Sequence, residues 1–307
     1  MYELRAIPYI GSKARLLPAI SKNLHEGTRT YCEPFSGGFS LGINLIKLGY
    51  LSSDCKIVYN DLDTALYNYF KCVKDNYKLL IDEVEFVTHT ILDEFSNNEI
   101  SVSDIVYDLK SDYIGSNDIY KQSALYYLIK KSNKGSYKEY VSVTSTVNLD
   151  YLDKTLCKVS DILQGVELLN KGYKDLNYLD SHDTFWYLDP PYYNMNNSNF
   201  YAQCKLDGEF NHIELRDFLK GLKGKFILSY NDCAEVRELY KDFKIHDIKM
   251  ISKLNKKGET SELLISNYDI DILDIKFGAS EIGKKSNKNR GERNNEIWDI
   301  PIDEFLS

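Results

Sequence analysis

Residues 189–192 read Asp-Pro-Pro-Tyr and close the run Asp183-Thr-Phe-Trp-Tyr-Leu188, whose apolar pattern predicts a buried strand. An acid, two prolines and an aromatic ring at a strand end make a compact chemical tool. The Asp189 carboxylate accepts hydrogen bonds. Pro190 and Pro191 stiffen the backbone, and Pro190 offers a carbonyl acceptor with no competing N–H. Tyr192 adds a flat face for stacking. Two acceptors and a ring suit a planar heterocycle that carries an exocyclic amine. Taken alone, the same four residues are also consistent with a strand followed by a proline turn.

A second constellation precedes it. Glu33-Pro34-Phe35-Ser36-Gly37-Gly38-Phe39-Ser40 follows a short apolar strand and opens a helix. Glycines at such a turn let a ligand approach the backbone, as in the nucleotide-binding turns of open α/β sheets. No lysine follows the glycines, so a phosphate-gripping loop is excluded. An acid, Glu33, stands at the strand end, where it would attract a cation. A second acid, Asp61, ends the next strand 28 residues on, the position from which an acid commonly bridges ribose hydroxyls. Ribose, positive charge and no polyphosphate grip describe S-adenosylmethionine better than a dinucleotide. Singly, Gly37-Gly38 is an ordinary helix-start turn and Asp61 an ordinary helix cap; their order along the chain is what points to a cofactor. Near the N-terminus, Tyr9-Ile-Gly-Ser-Lys13 adds a third piece. Ser12 is expected to cap a helix running towards His25, with Lys13 in its first turn. The helix dipole gives a cation no help there, which suggests a ligand contact.

These residues need a scaffold, and short apolar strands alternating with helices supply one. The first block holds a strand at 30–32, a helix over 39–48 and a strand at 56–59. The second holds a strand at 185–188, a helix over 211–222, and strands at 225–229, 244–251 and 261–268. That rhythm predicts an α/β fold with a mostly parallel, Rossmann-like sheet. The last two strands follow one another without a helix and predict an antiparallel hairpin at the sheet edge. The expected division is a catalytic domain from 1–64 and 166–275, an inserted helical subdomain at 65–165 and a C-terminal tail at 276–307.

The chain has 307 residues, 43% hydrophobic and 27% charged, enough for a sizeable core. Its formal net charge of −8 argues against a uniformly basic coat, so nucleic-acid affinity would have to come from local patches. Candidates are Lys121, Lys130, Lys131, Lys134 and Lys138 in the insert and Lys253, Lys256 and Lys257 late in the chain; each is equally a solvated surface lysine when taken alone. The tail basics read as a nonspecific arm. The six cysteines include no C-x-x-C pair, which argues against zinc and a disulfide framework, and no metal site is expected. With no signal-like or bilayer-spanning run, the expectation is a soluble cytoplasmic protein.

Taken together, the segments resemble the Dam-like (D12 class) adenine-specific DNA methyltransferases. Tyr9-Ile-Gly-Ser-Lys13 is similar to the family's N-terminal cofactor motif, and Glu33 through Gly37 to its glycine loop. Asn60-Asp61 is similar to its ribose-binding acid, and Asp189-Pro-Pro-Tyr192 to its catalytic motif. Phe226 through Asn231 and Glu262 through Tyr268 resemble the closing strands. The resemblance implies transfer of a methyl group from S-adenosylmethionine to N6 of a flipped adenine. It implies cofactor contacts at Tyr9, Lys13, Glu33, Pro34, Phe35, Ser36, Gly37, Gly38, Asp61 and Asp189, and a catalytic role for Asp189, Pro190, Pro191 and Tyr192. DNA contacts would fall on Lys130, Lys131, Asn133, Lys134, Tyr137 and Lys138 of the target-recognition insert. Double-stranded DNA is the implied partner, and a cognate restriction endonuclease a further candidate. Three departures stand out. Phe39 occupies the usual second loop glycine, and Gly172 falls where many members place an adenine-contacting polar group. The insert also lacks the usual Phe-Asn-x-Pro stretch, so recognition of GATC is not implied. The acceptor geometry by itself also suits cytosine N4 or a base in RNA. A catalytically silent DNA-binding module of the same fold is the alternative of another class, and the intact Asp189, Tyr192, Glu33 and Asp61 stand against it.

Overall fold

The computed structural model of the chain describes residues 3–9, 11–97, 111–112, 115–132, 147–193, 210–251 and 259–272. Seven strands form one sheet: β1 (Thr30–Glu33), β2 (Lys56–Asn60), β3 (Val166–Leu169), β4 (Thr184–Leu188), β5 (Lys225–Asn231), β6 (Lys244–Ile251) and β7 (Glu259–Ser266). Their spatial order is β3-β2-β1-β4-β5-β7-β6. The first five are mutually parallel, while β7 runs antiparallel between β5 and β6. The edge hairpin expected from consecutive late strands is therefore present. From β1 the chain winds outward through β2 and β3, then returns to place β4 on the other side of β1. The loops after β1 and β4 diverge at that switch point, where open α/β sheets bind their ligands.

Alternation along the strands explains the layering. Tyr31, Ile57, Tyr59, Phe185, Tyr187 and Ile227 face one core, shared with α1 (Leu17–Asn23), α2 (Ser40–Lys47), α3 (Thr64–Asn97), α4 (Ile119–Ser132) and α5 (Leu149–Leu163). Cys32, Val58, Trp186, Leu188, Phe226, Leu228 and Tyr230 face the other core. The 3₁₀ turn at Tyr173–Leu179, α6 (His212–Gly221) and α7 (Ala234–Leu239) cover it. The helices within 65–165 thus bury residues such as Tyr69, Phe70, Leu156 and Val159 in the core that covers one face of the sheet. Asparagine and aspartate start several of these helices. Asn148 accepts from the Tyr151 amide and Asn211 from the Glu214 amide, while Asp63 accepts from Ala65 and Leu66 at the start of α3. Asn76 breaks helical geometry inside α3, with φ −159° and ψ 81°, and its side chain accepts from the Leu79 amide to restart the helix.

The structure changes one reading and removes one alternative. Ser12 caps no helix: its hydroxyl donates to Glu3 and shares a second hydrogen bond with the Ser40 hydroxyl. Lys13 precedes a 3₁₀ turn at Ala14–Leu16, and α1 begins only at Leu17, where Pro18 suits the first turn. Nor is Asp61 a helix cap, since Asp63 fills that role.

The Phe39 departure has a physical explanation. Phe39 has φ 51° and ψ 26°, the left-handed conformation that favours glycine. Its ring is fully buried and meets Tyr59 edge-on at 5.3 Å. A Cβ at Gly42 would stand 2.3 Å from that ring, so the glycine at 42 makes the room that the missing loop glycine would otherwise have left. Burial of the ring outweighs the backbone strain. Phe39→Gly should relieve about 1 kcal/mol of strain yet remove a core aromatic whose truncation costs about 3–5 kcal/mol. A net loss of roughly 2–4 kcal/mol is expected, to be read from the urea midpoint at constant m-value.

Candidate active site

Site residues converge at the C-terminal ends of the parallel strands. Glu33 ends β1, Asp61 follows β2 and Asp189 follows β4. Cys32 pairs in register with Trp186, which carries the ends of β1 and β4 past the switch point together. Because β7 is antiparallel to β5, its beginning reaches the same edge, with Glu262 opposite Asn231.

The glycine loop is tied to the end of β2. The Gly37 amide donates to Asp61 Oδ2 at 2.8 Å, and the Asp63 amide donates to Asp61 Oδ1 at 2.9 Å. Gly37 is left-handed, with φ +50°. Tyr9 lies against the loop so closely that a Cβ at 37 would come 2.9 Å from its ring and one at 38 would come 2.8 Å from its Cβ. Ser36 donates to the Glu33 carbonyl and accepts from the Asn60 amide. Asn60, fully buried, binds the Pro34 carbonyl and both the amide and the carbonyl of Lys171. This one amide side chain therefore joins the loops after β1, β2 and β3. Phe35 packs on Tyr173 and Phe210 with ring centres 5.4 and 5.7 Å away. Gly172 begins the 3₁₀ turn that carries Tyr173.

Glu33 is 2% exposed and accepts the Tyr31 hydroxyl at 2.7 Å. Burial pushes its carboxyl up to about 8, against the opposing bonds from Tyr31 and the Gly42 backbone. Burial likewise raises Asp61 to about 6, opposed by the Asp63 and Gly37 amides.

Around Asp189 three charges share one buried spot. Lys13 Nζ lies 3.1 Å from Asp189 Oδ2 and 3.4 Å from Glu262 Oε1, and these side chains are 12%, 21% and 5% exposed. Ser229 on β5 donates to Asp189 Oδ1 at 2.9 Å, and the Tyr187 hydroxyl lies 3.1 Å from that of Ser229. Burial raises the Asp189 carboxyl; Lys13 opposes the rise and Glu262 adds to it. Burial disfavours the Lys13 ammonium, yet the carboxylates of Asp189 and Glu262 hold its pKa well above the usual lysine range. Tyr192 is fixed on several sides. Its hydroxyl donates to Glu262, its ring centre is 4.9 Å from Lys13 Nζ, and it stacks on Tyr230 at 6.0 Å and 24°. Pro190 is buried, and Pro191 is half-buried beside it.

The expected cofactor and catalytic residues thus meet at one edge of the sheet, although Lys13 reaches Asp189 rather than the glycine loop. Lys130 lies over the Tyr9 and Tyr126 rings at 5.4 and 5.0 Å. Burial lowers its neighbour Lys131 to about 8. Asn133, Lys134, Tyr137, Lys138, the late lysines 253, 256 and 257, and the tail 276–307 lie outside the described residues. Sequence reasoning missed Asn60, Ser229 and Glu262 as site residues. The acid opening an otherwise apolar strand, Glu262-Leu-Leu-Ile, was the available signal for the last of these.

The buried Glu33 makes stability depend on pH. An unfolded glutamate loses its proton near 4.5, whereas this one holds it to about 8. Its contribution is complete below the lower value and is lost as pH rises through the upper one. Glu33→Gln keeps an acceptor for Tyr31 and carries no charge. Thermal melts should show similar Tm values for variant and wild type near pH 4.5 and a higher Tm for the variant at pH 8–9, by roughly 2–4 °C per kcal/mol relieved.

Comparison with known proteins agrees with this geometry. The family description D12 class N6 adenine-specific DNA methyltransferase matches residues 9–254. The chain is also 25% identical over 281 residues to Type II methyltransferase M1.LlaDCHI of Lactococcus lactis subsp. cremoris, covering 85% of this chain and 94% of that protein. Tyr9, Lys13, the glycine loop, Asp61 and Asp189 through Tyr192 all fall inside the matched range, in an arrangement that suits methylation of an amine. The chain belongs to the D12 class N6 adenine-specific DNA methyltransferase family and is an adenine DNA methyltransferase.

Proposed function

We propose that the chain is a site-specific enzyme that takes its methyl group from S-adenosylmethionine and acts on an adenine flipped out of duplex DNA. The observation that carries this reading is the junction at the switch point, where the acids after β1 and β2 flank the glycine loop and Asp189 follows the neighbouring strand β4. The cofactor fits the donor set. Asp61 offers a carboxylate to ribose hydroxyls, Glu33 an acid whose ionisation a neighbouring cation would favour, and residues 34–38 contain no basic side chain to grip phosphate. Phe35, Tyr9 and the backbone of Pro34, Ser36, Gly37 and Gly38 would complete its cradle. When bound, S-adenosylmethionine supplies an electrophilic methyl group on a sulfonium sulfur.

The chain's own residues prepare the nucleophile. The adenine amine is weak because its lone pair is delocalised into the ring. Asp189 and the Pro190 carbonyl each accept one amine hydrogen, which favours a pyramidal nitrogen with a localised lone pair. Asp189 retains accepting capacity for this beyond its bonds to Ser229 and Lys13. Tyr192 supplies the stacking face that offsets part of the few kcal/mol that flipping costs. The reaction needs no cysteine nucleophile.

Lys130 and Lys131, at the end of α4, would make DNA contacts together with Asn133, Lys134, Tyr137 and Lys138, and 65–165 would be the region that reads the target. The relative's name, Type II methyltransferase, supports a cognate restriction endonuclease as a functional partner. Among the described residues no helix is long and apolar enough to cross a membrane, in keeping with action in the cytoplasm.

The test is transfer of labelled methyl from S-adenosylmethionine to unmethylated genomic DNA, with nucleoside analysis and mapping of modified positions. N6-methyladenine at one short motif is the expected product; modified cytosine, or label only in RNA, would overturn the proposal. Asp189→Ala should lower turnover by roughly 10²–10³-fold or more with an unchanged circular dichroism spectrum. Near-normal turnover by that variant would refute the role given to Asp189.

A further inference from the structure

We infer that Glu262 is a positioning residue for methyl transfer, anchoring both ends of the Asp-Pro-Pro-Tyr segment through Lys13 and Tyr192. The inference rests on the role proposed for Asp189. Glu262 lies in the first half of β7, 4% exposed and opposite Asn231 across the β5–β7 ladder. Its Oε1 receives the Tyr192 hydroxyl and lies 3.4 Å from Lys13 Nζ. The same ammonium lies 3.1 Å from Asp189 Oδ2. One carboxylate oxygen therefore reaches the first residue of the tetrapeptide through a cation and the last residue directly. The other oxygen, Oε2, is buried and has no hydrogen-bond partner among the described residues. An unsatisfied carboxylate oxygen in the interior is costly and calls for a compensating role.

The electrostatic consequence is specific. A lysine paired with Asp189 alone would draw electron density from the carboxylate and weaken it as an acceptor for an amine. A second carboxylate on the same ammonium offsets that pull. The other groups facing Asp189 are the Tyr187 hydroxyl from β4, the Tyr230 hydroxyl and Ser229 from β5, and Glu33 from β1. Burial holds both tyrosines well above their ordinary range, hence neutral, and pushes Glu33 up to about 8. Glu262 is thus the second carboxylate on the ammonium that pairs with Asp189, and it adds to the rise of the Asp189 carboxyl. The antiparallel register of β7 against β5 is what sets Glu262 opposite Asn231, at the end of the sheet where β4 delivers Asp189.

The experiment compares wild type, Glu262→Gln and Asp189→Ala in steady-state and single-turnover methylation from pH 5 to 9. Glu262→Gln keeps the size and removes the charge. Its kcat should fall by about tenfold or more, the scale on which outer-shell partners act on a reacting group, while KM for DNA and for S-adenosylmethionine stays within about twofold. The acid limb of kcat should move to lower pH, because Asp189 loses a neighbouring negative charge. Wild-type kcat with an unmoved acid limb, beside an inactive Asp189→Ala, would overturn the inference and leave the role of Asp189 standing. An active Asp189→Ala would instead overturn the reading beneath it. Should Glu262→Gln fail to fold, Glu262→Asp decides. It keeps the charge but shortens the reach, so a reduced kcat with the acid limb in place supports positioning, and full activity refutes it.

Discussion

A buried ammonium shared by two carboxylates sets the terms for the rest of this structure. Lys13, Asp189 and Glu262 come from the N-terminal segment, the end of β4 and the start of β7, and none of their side chains is more than 21% exposed. Charges taken this far from water persist only when paired at short range. Two carboxylates without the ammonium would repel, and the ammonium without them would be driven to lose its proton. The cluster therefore requires three segments, spread across nearly the whole length of the catalytic sheet, to arrive at one point. The strand order meets that demand: β4 adjoins β1, and β7 runs antiparallel to β5, which sets Glu262 opposite Asn231.

Along the same edge the carboxyl groups differ in kind. Glu33 is sealed against Tyr31 and held near 8, Asp61 is bound by two backbone amides and held near 6, and Asp189 is paired with a cation. Placement in depth and choice of neighbour give one functional group three electrostatic characters. Asn60 holds the first two in register. With its carbonyl and amide engaged by the loops after β1 and β3, a shift of either loop would break bonds in the other.

Much of this could be read from residue order. The β/α alternation, the edge hairpin and the pairing of the glycine loop with Asp189-Pro-Pro-Tyr192 were legible because they depend on local apolar pattern and on residues with few roles. What escaped depended on partners distant in sequence. Strand β3, only Val166–Leu169, is too short to show alternation, and it gains its identity by pairing with β2. Ser12 reads as a cap by type but spends its hydroxyl on Glu3 and Ser40. Phe39 reads as a defect in the loop until Gly42 is seen to make space for its ring. Glu262 reads only as the first residue of a closing strand, and the ladder with β5 brings it to Lys13.

Tyr192 shows how these layers combine. An aromatic ring proposed to receive a flipped base gains nothing from freedom, since each rotamer lost on binding lowers affinity. Here the freedom is removed before any base arrives. The hydroxyl is held by Glu262, the ring lies over the Lys13 ammonium, and Tyr230 stacks alongside, itself bonded to His212 on α6. The prolines at 190 and 191 stiffen the backbone between this ring and the acid. Asp189 and the Tyr192 ring are thus held together by the same two side chains, Lys13 and Glu262. Positioning and electrostatics in this site are a single arrangement, so a change at Glu262 or Lys13 acts on both together.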